Sequence, residues 1–201
     1  MTAAIVLAAG LSRRMGRPKL LEDLQGTPLI RRTVQAVLAA GIAEVVVVVG
    51  PAHPETFAAA LGGLPVRITV NPAPEMGQSS SLRLGIEALT PGVGDVLVAL
   101  GDQPELPDDV VARLSAALER SGAEIAAPRY RDGRGNPVLF RAAVLPELTA
   151  LSGDQGARSI IDADPARVAL VEFDRPMPAD VDTAEDLAAL RARSVPSRGV
   201  D

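Results

Sequence analysis

Ala3-Ala4-Ile5-Val6-Leu7-Ala8-Ala9-Gly10-Leu11-Ser12-Arg13-Arg14-Met15-Gly16-Arg17-Pro18-Lys19 runs from an apolar segment straight into a basic, glycine-bearing loop. Ala3 to Leu7 is continuously apolar, the pattern of a strand covered on both faces. The loop then brings four cations, Arg13, Arg14, Arg17 and Lys19, into seven residues of a chain whose net charge is −5. A loop at the carboxyl end of a parallel strand, with free backbone N–H groups and a local positive field, suits a polyphosphate. A solvated basic turn between strand and helix is the plainer alternative.

Spacing excludes two familiar phosphate loops. A P-loop has four residues between its glycines and a Lys directly after the second. Here five residues separate Gly10 from Gly16, and Lys19 comes three positions later. A dinucleotide fingerprint needs G-x-G-x-x-G and an acidic residue closing the second strand. The chain has no such triplet, and its second apolar run, Val45 to Val49, ends in Gly50-Pro51.

Outward from this stretch, strand and helix patterns alternate. Apolar runs at Ala3–Leu7, Val45–Val49, Val66–Val70, Val96–Leu100, Glu124–Pro128, Val138–Phe140 and Val168–Phe173 predict about seven strands. Helical periodicity predicts a helix capped by Thr27, with Pro28 in its first turn and Gly41 at its end. Further helices are predicted at Glu55–Leu61, Ser79–Leu89, Asp108–Arg120, Ala142–Leu151 and Ala157–Asp162. Thr183 is expected to cap a last helix through Arg193, with Glu185 and Asp186 near its positive end. Such alternation implies an α/β fold with a mostly parallel sheet. Arg131 to Pro137 is too short for a crossover helix, so the strands beside it are expected to be antiparallel. Residues 1–193 read as one domain and 194–201 as a frayed tail.

Composition narrows the function classes. A chain of 201 residues suffices for one sizeable core. With no cysteine, disulfides, thiolate metal sites and a Cys nucleophile are excluded. No apolar run reaches the roughly 18 residues that span a bilayer, and no signal peptide is apparent, so a cytoplasmic location is expected. Mild acidity with one Tyr, three Phe and no Trp argues against nucleic-acid binding. His53, the only histidine, lies in a proline-rich loop without a metal pair or a triad partner.

Three later segments carry chemistry-bearing residues. Gly101-Asp102-Gln103-Pro104 follows a strand and sets a carboxylate at the sheet edge where the first loop should lie. Asp102 is thus a candidate to hold Mg²⁺ against a triphosphate. Its plainer role is an Asx-turn. In Asp180-Val181-Asp182-Thr183, Asp182 is a candidate second ligand, or else a charge placed before a helix N-terminus. Gly77-Gln78-Ser79-Ser80-Ser81-Leu82 offers hydroxyls and N–H groups to a base, ribose or phosphate, or simply caps a helix.

Together these blocks resemble the nucleotidyltransferases of the molybdopterin dinucleotide type, the MobA-like NTP transferases. The matching residues are L-A-A-G-x-S-x-R-M-G-x-x-K at Leu7–Lys19, the Ser-Leu-x-x-Gly-Ile block at Ser81–Ile86 and Gly-Asp-Gln-Pro at 101–104. Gly-Asn-Pro-Val-Leu-Phe at 135–140 and Asp-Val-Asp-Thr-x-Glu-Asp-Leu at 180–187 continue the series in order. Within that superfamily the chain resembles the molybdenum cofactor cytidylyltransferases.

The resemblance implies a Rossmann-like, single-domain fold of the nucleotide-diphospho-sugar transferase type, whose mixed sheet carries one antiparallel strand. It implies transfer of CMP from CTP to a molybdopterin-like phosphate acceptor, with pyrophosphate released. Leu7, Ala8, Ala9 and Gly10 would line the base pocket through backbone atoms, and Arg14 and Lys19 would grip the triphosphate. Ser80 and Ser81 would contact the nucleoside, while Asp102 and Asp182 would hold Mg²⁺. Lys19, Arg14 and Asp102 are the expected catalytic residues. A molybdoenzyme or its maturation chaperone is the implied protein partner. Cytidylyl members tend to carry Leu-Ala-Ala-Gly and guanylyl members Leu-Ala-Gly-Gly, so Ala9 favours CTP. A β-carbon at Ala9 narrows the pocket floor, an effect worth about 1–3 kcal/mol. Asn136 stands where similar sequences often have His, which puts a proton-transfer role there in doubt. A guanylyltransferase, a nucleotidyltransferase for another small phosphate, and a nucleotide-binding cofactor chaperone without catalysis are the competing readings.

Overall fold

The structure, a computed structural model, describes residues 1–10 and 18–193. Its sheet begins with β1 (Thr2–Ala8), β2 (Glu44–Val49), β3 (Arg67–Val70) and β4 (Asp95–Leu100). It continues with β5 (Ile125–Tyr130), β6 (Gly133–Arg134), β7 (Val138–Arg141) and β8 (Val168–Glu172). The spatial order is β3-β2-β1-β4-β7-β5, with β8 and the two-residue β6 both pairing β5. β6 is the strand that the periodicity does not reveal, because two residues carry no period.

β1 runs parallel to both β2 and β4, and β5 parallel to β8. β7 runs antiparallel to its neighbours β4 and β5, as the short Arg131–Pro137 connection requires, and the two-residue β6 also pairs antiparallel with β5. The result is a mixed, mostly parallel α/β sheet.

Helices cover both faces. α1 (Leu29–Ala39), α2 (Pro54–Ala60), α4 (Val110–Ser121) and α7 (Ala184–Arg193) share one apolar layer with Ala4, Val6, Val47 and Leu97. α3 (Gln78–Glu87), α5 (Leu145–Ala150) and α6 (Arg158–Ala163) share the other with Ile5, Val46, Val48 and Phe140. Neighbouring residues of one strand thus enter opposite layers, which is why β1 and β2 are apolar at nearly every position. α3 packs so closely that a Cβ on Gly85 would lie 2.5 Å from Ile5 Cγ2.

Some element ends differ from expectation. Thr27 makes no cap; Pro28 is the N-cap of α1, and Thr27 instead accepts the Leu24 N–H through its carbonyl in a tight turn (2.8 Å). The proline's fixed φ starts the helix without a side-chain acceptor. The predicted helix at Ala142–Leu151 opens as a 3₁₀ turn, Ala142–Val144, before α5. Gly41 ends α1 as expected, with φ +81°. Among the described residues no helix is long and apolar enough to cross a membrane.

Candidate functional site

Because β1 and β4 are parallel neighbours with Leu7 opposite Leu100, their carboxyl ends open at one sheet edge. The loop after β4 is drawn tightly onto β1. Gly101 donates its N–H to the Leu7 carbonyl (2.9 Å). A Cβ on Gly101 would stand 3.1 Å from that oxygen and 3.0 Å from Ile30 Cδ1, so the close approach favours glycine. Asp102 follows directly and is thereby fixed over the end of β1.

The segment after β8 closes from the other side. The Val181 N–H donates to the Asp102 carbonyl (3.2 Å), and Gln103 Nε2 donates to Asp180 Oδ1 (2.7 Å). Next to these, Asp186 Oδ2 accepts the N–H groups of Asp182 (3.0 Å) and Thr183 (2.8 Å), while the Asp186 N–H donates to Thr183 Oγ1 (3.1 Å). This is a reciprocal capping box at the start of α7, and it also clamps the backbone of Asp182. The Thr183 hydroxyl and those N–H groups hold the Asp186 carboxyl below the usual carboxylate range.

Lys19 enters from a 3₁₀ turn, Lys19–Leu21, anchored by buried Leu20. Its Nζ donates to Asp102 Oδ2 and to Asp182 Oδ1, each at 2.7 Å. Burial works against the ammonium, but these hydrogen bonds and the two negative charges outweigh it and raise its pKa above that of an ordinary lysine. Nearby, loss of hydration pushes the Asp180 carboxyl upward. The Gln103 hydrogen bond opposes that rise, and the charges of Asp102 and Asp182 add to it.

A cavity of about 540 Å³ opens beside this cluster. Leu7, Ala9, Gly10, Lys19, Ser81, Asp102 and Asp182 all line it. The sequence-predicted residues therefore converge, with two exceptions. The side chain of Ala8 is buried in the opposite apolar layer. The Ser80 hydroxyl donates to the Gly77 carbonyl (2.8 Å), which is a cap within the loop and not a cavity wall. Arg14 lies outside the described residues, as do its loop neighbours 11–17 and the tail 194–201. Asn136 does not line the cavity; its carbonyl accepts from the Tyr130 hydroxyl (3.0 Å).

Sequence reasoning missed Asn71. It is 1% exposed. Its Nδ2 donates to the hydroxyls of Ser80 (2.8 Å) and Ser81 (2.9 Å), and its Oδ1 accepts from the Ala73 N–H (3.0 Å). Asn71-Pro72 directly after an apolar strand was the available signal, since that places a polar residue at the same sheet edge. Asp180 was missed as a member of the cluster because its neighbour Asp182 took the assignment. Pro74, Glu75, Gln78 and Asp154 are among the cavity's other lining residues.

The donor set is made of hard oxygens. Two carboxylates meet at one cationic point, which suits a divalent ion that takes its remaining ligands from substrate oxygens and water. Among the described residues no cluster of three acidic or imidazole ligands exists.

The sequence profile of the MobA-like NTP transferase domain matches residues 4–168. The chain is 34% identical over 194 residues to nicotine blue oxidoreductase of Paenarthrobacter nicotinovorans, covering 92% of this chain and 94% of that one. It is 34% identical over 195 residues to the molybdenum cofactor guanylyltransferase of Rhodobacter capsulatus, covering 95% of each. Rv0371c of Mycobacterium tuberculosis H37Rv, crystallised as a complex with manganese, superposes with a TM-score of 0.82 at 28% identity, over 96% of this chain and 99% of that one. With Lys19 and the paired aspartates gathered at one edge of such a sheet, the chain belongs to the MobA-like NTP transferase family and is a nucleotidyltransferase.

Proposed function

We propose that the protein transfers CMP from CTP to the terminal phosphate of a molybdopterin-like acceptor and releases pyrophosphate. The observation that carries this reading is the meeting of Lys19 with Asp102 and Asp182 at the mouth of the cavity lined by Leu7, Ala9 and Gly10. It puts a cation and two metal-competent carboxylates beside a pocket of nucleotide size. The relatives support transfer of a nucleotide. They divide on the base, since one is named a guanylyltransferase and another, 37% identical over 63% of this chain, a 2-C-methyl-D-erythritol 4-phosphate cytidylyltransferase. Ala9, buried on the cavity floor, favours the smaller base. An electron-transfer reading, raised by the name of one relative, gives no role to two carboxylates that share one ammonium.

Mechanistically, the acceptor phosphate is already ionised at neutral pH, so no general base is needed. The difficulty is repulsion between two anions. A cation about 4 Å from a phosphate gains roughly 1 kcal/mol in water and about 4 kcal/mol at an effective dielectric of about 20. Lys19, with Arg14 from the same loop, supplies such charge to the triphosphate and to the leaving pyrophosphate. Backbone atoms of Leu7, Ala9 and Gly10 and the Ser81 hydroxyl orient the nucleoside, which turns an encounter into a positioned attack. Asp102 and Asp182 would hold Mg²⁺, whose chemistry is to polarise the α-phosphate and neutralise the leaving group.

Pyrophosphate release with molybdopterin and each of the four triphosphates tests this. CTP is expected to react fastest. Equal or faster reaction with GTP moves the assignment to guanylyl transfer, and no release with any triphosphate overturns it.

A further inference from the structure

Of the three paired side chains Lys19 is the least exposed, at 11%, against 22% for Asp102 and 40% for Asp182. Its Nζ sits where one oxygen of each carboxylate converges, 2.7 Å from Asp102 Oδ2 and 2.7 Å from Asp182 Oδ1. We propose that Lys19 is the resident cation of this site, occupying between Asp102 and Asp182 the position that a divalent metal needs, so that metal is held off until nucleotide phosphates draw the ammonium away. This rests on the nucleotidyl-transfer reading above.

The geometry leaves little room for sharing. A hard divalent ion binds carboxylate oxygens at about 2.0–2.1 Å. The two oxygens are already engaged by Nζ at 2.7 Å each. An ammonium and a divalent ion on the same carboxylates also repel each other, so the two compete. A triphosphate resolves the conflict by chemistry. Its oxygens accept from the ammonium and release the carboxylates, and they complete the coordination of the arriving metal. Metal and nucleotide then bind cooperatively, and each tightens the other by the same factor. An enzyme built this way does not fill its metal site without substrate. Lys19 thus passes from the aspartates to the phosphates.

The test reads metal binding without turnover. Mn²⁺ alone is titrated onto the full chain as wild type, Lys19→Met, Asp102→Asn and the double variant, with free Mn²⁺ followed by its electron paramagnetic resonance signal. Lys19→Met, which keeps the apolar stem, should bind Mn²⁺ about tenfold or more tighter than wild type, the scale of one unit charge at this distance. The double variant should lose that gain. In wild type, CTP or GTP should tighten Mn²⁺ by a similar factor, and in Lys19→Met by much less. Thermal unfolding checks the fold, and Lys19→Gln is measured in parallel under the same criterion. A folded variant that binds Mn²⁺ no better than wild type overturns the resident-cation role. If neither triphosphate binds wild type with Mn²⁺, the nucleotidyl-transfer reading itself fails, whereas a gain in Lys19→Met without nucleotide stands apart from that result.

Discussion

Lys19 Nζ and Asp102 Oδ2 lie 2.7 Å apart although 83 residues of chain separate them. The contact exists because β1 and β4 are parallel neighbours, which delivers the loops that follow them to one place. If Lys19 serves the triphosphate, Lys19→Ala lowers kcat by about two to three orders of magnitude, the scale of losing one preorganised donor. Steady-state pyrophosphate release measures it. A variant within threefold of wild type removes Lys19 from the chemistry.

Asp102→Asn separates metal binding from folding. The substitution keeps the shape of the side chain, and the backbone carbonyl that accepts from Val181 is untouched. The circular dichroism spectrum should match wild type, while activity should no longer respond to Mg²⁺ titration. A wild-type Mg²⁺ response in the variant would show that Asp102 does not hold the metal.

Asn71 supports the site from behind. Asn71→Ala strips two donors from Ser80 and Ser81 and leaves the Ala73 N–H without its acceptor. Leaving buried polar groups unsatisfied costs about 1–3 kcal/mol. The melting temperature should therefore fall. Because Ser81 lines the cavity and Asn71 does not, the KM for the nucleotide should rise more than kcat falls. A drop confined to kcat would instead place Asn71 in direct contact with the reacting groups.

These residues also show which parts of the molecule a sequence can reveal. β1 and β2 were legible because both faces are covered, so nearly every position is apolar. Asp102 and Asp182 were legible because each follows a strand and stands at a loop start. The nearness of Asp102 to the first loop was legible from its place after a strand, whereas the meeting of both aspartates on Lys19 depends on strand order and came with the resemblance. β6 has two residues and no periodicity to detect. Thr27 carried a capping residue type, yet the turn uses its carbonyl and the proline after it starts α1. The role of Asn71 has no local signature because it acts through Ser80 and Ser81, which lie nine and ten residues further along the chain. The Asp180–Gln103 hydrogen bond bridges loops 77 residues apart, beyond the reach of any local pattern.

That bond carries a prediction about pH. Loss of hydration, aided by the charges of Asp102 and Asp182 against the pull of Gln103 and Lys19, raises the folded pKa of Asp180 above its unfolded value. The folded state therefore prefers the protonated carboxyl. Its contribution to stability is fully present below the unfolded pKa, about 3.9, and is lost as pH rises through the folded pKa. At neutral pH the ionised side chain is a liability to the native state. Asp180→Asn keeps an oxygen acceptor for Gln103 and carries no charge at any pH. Melted in EDTA at pH 8, the variant should exceed wild type in melting temperature. The advantage should shrink to nothing below about pH 4, where wild-type Asp180 is protonated in both states. A difference that does not change with pH, or a variant less stable at pH 8, would show that the Asp180 charge is not destabilising there.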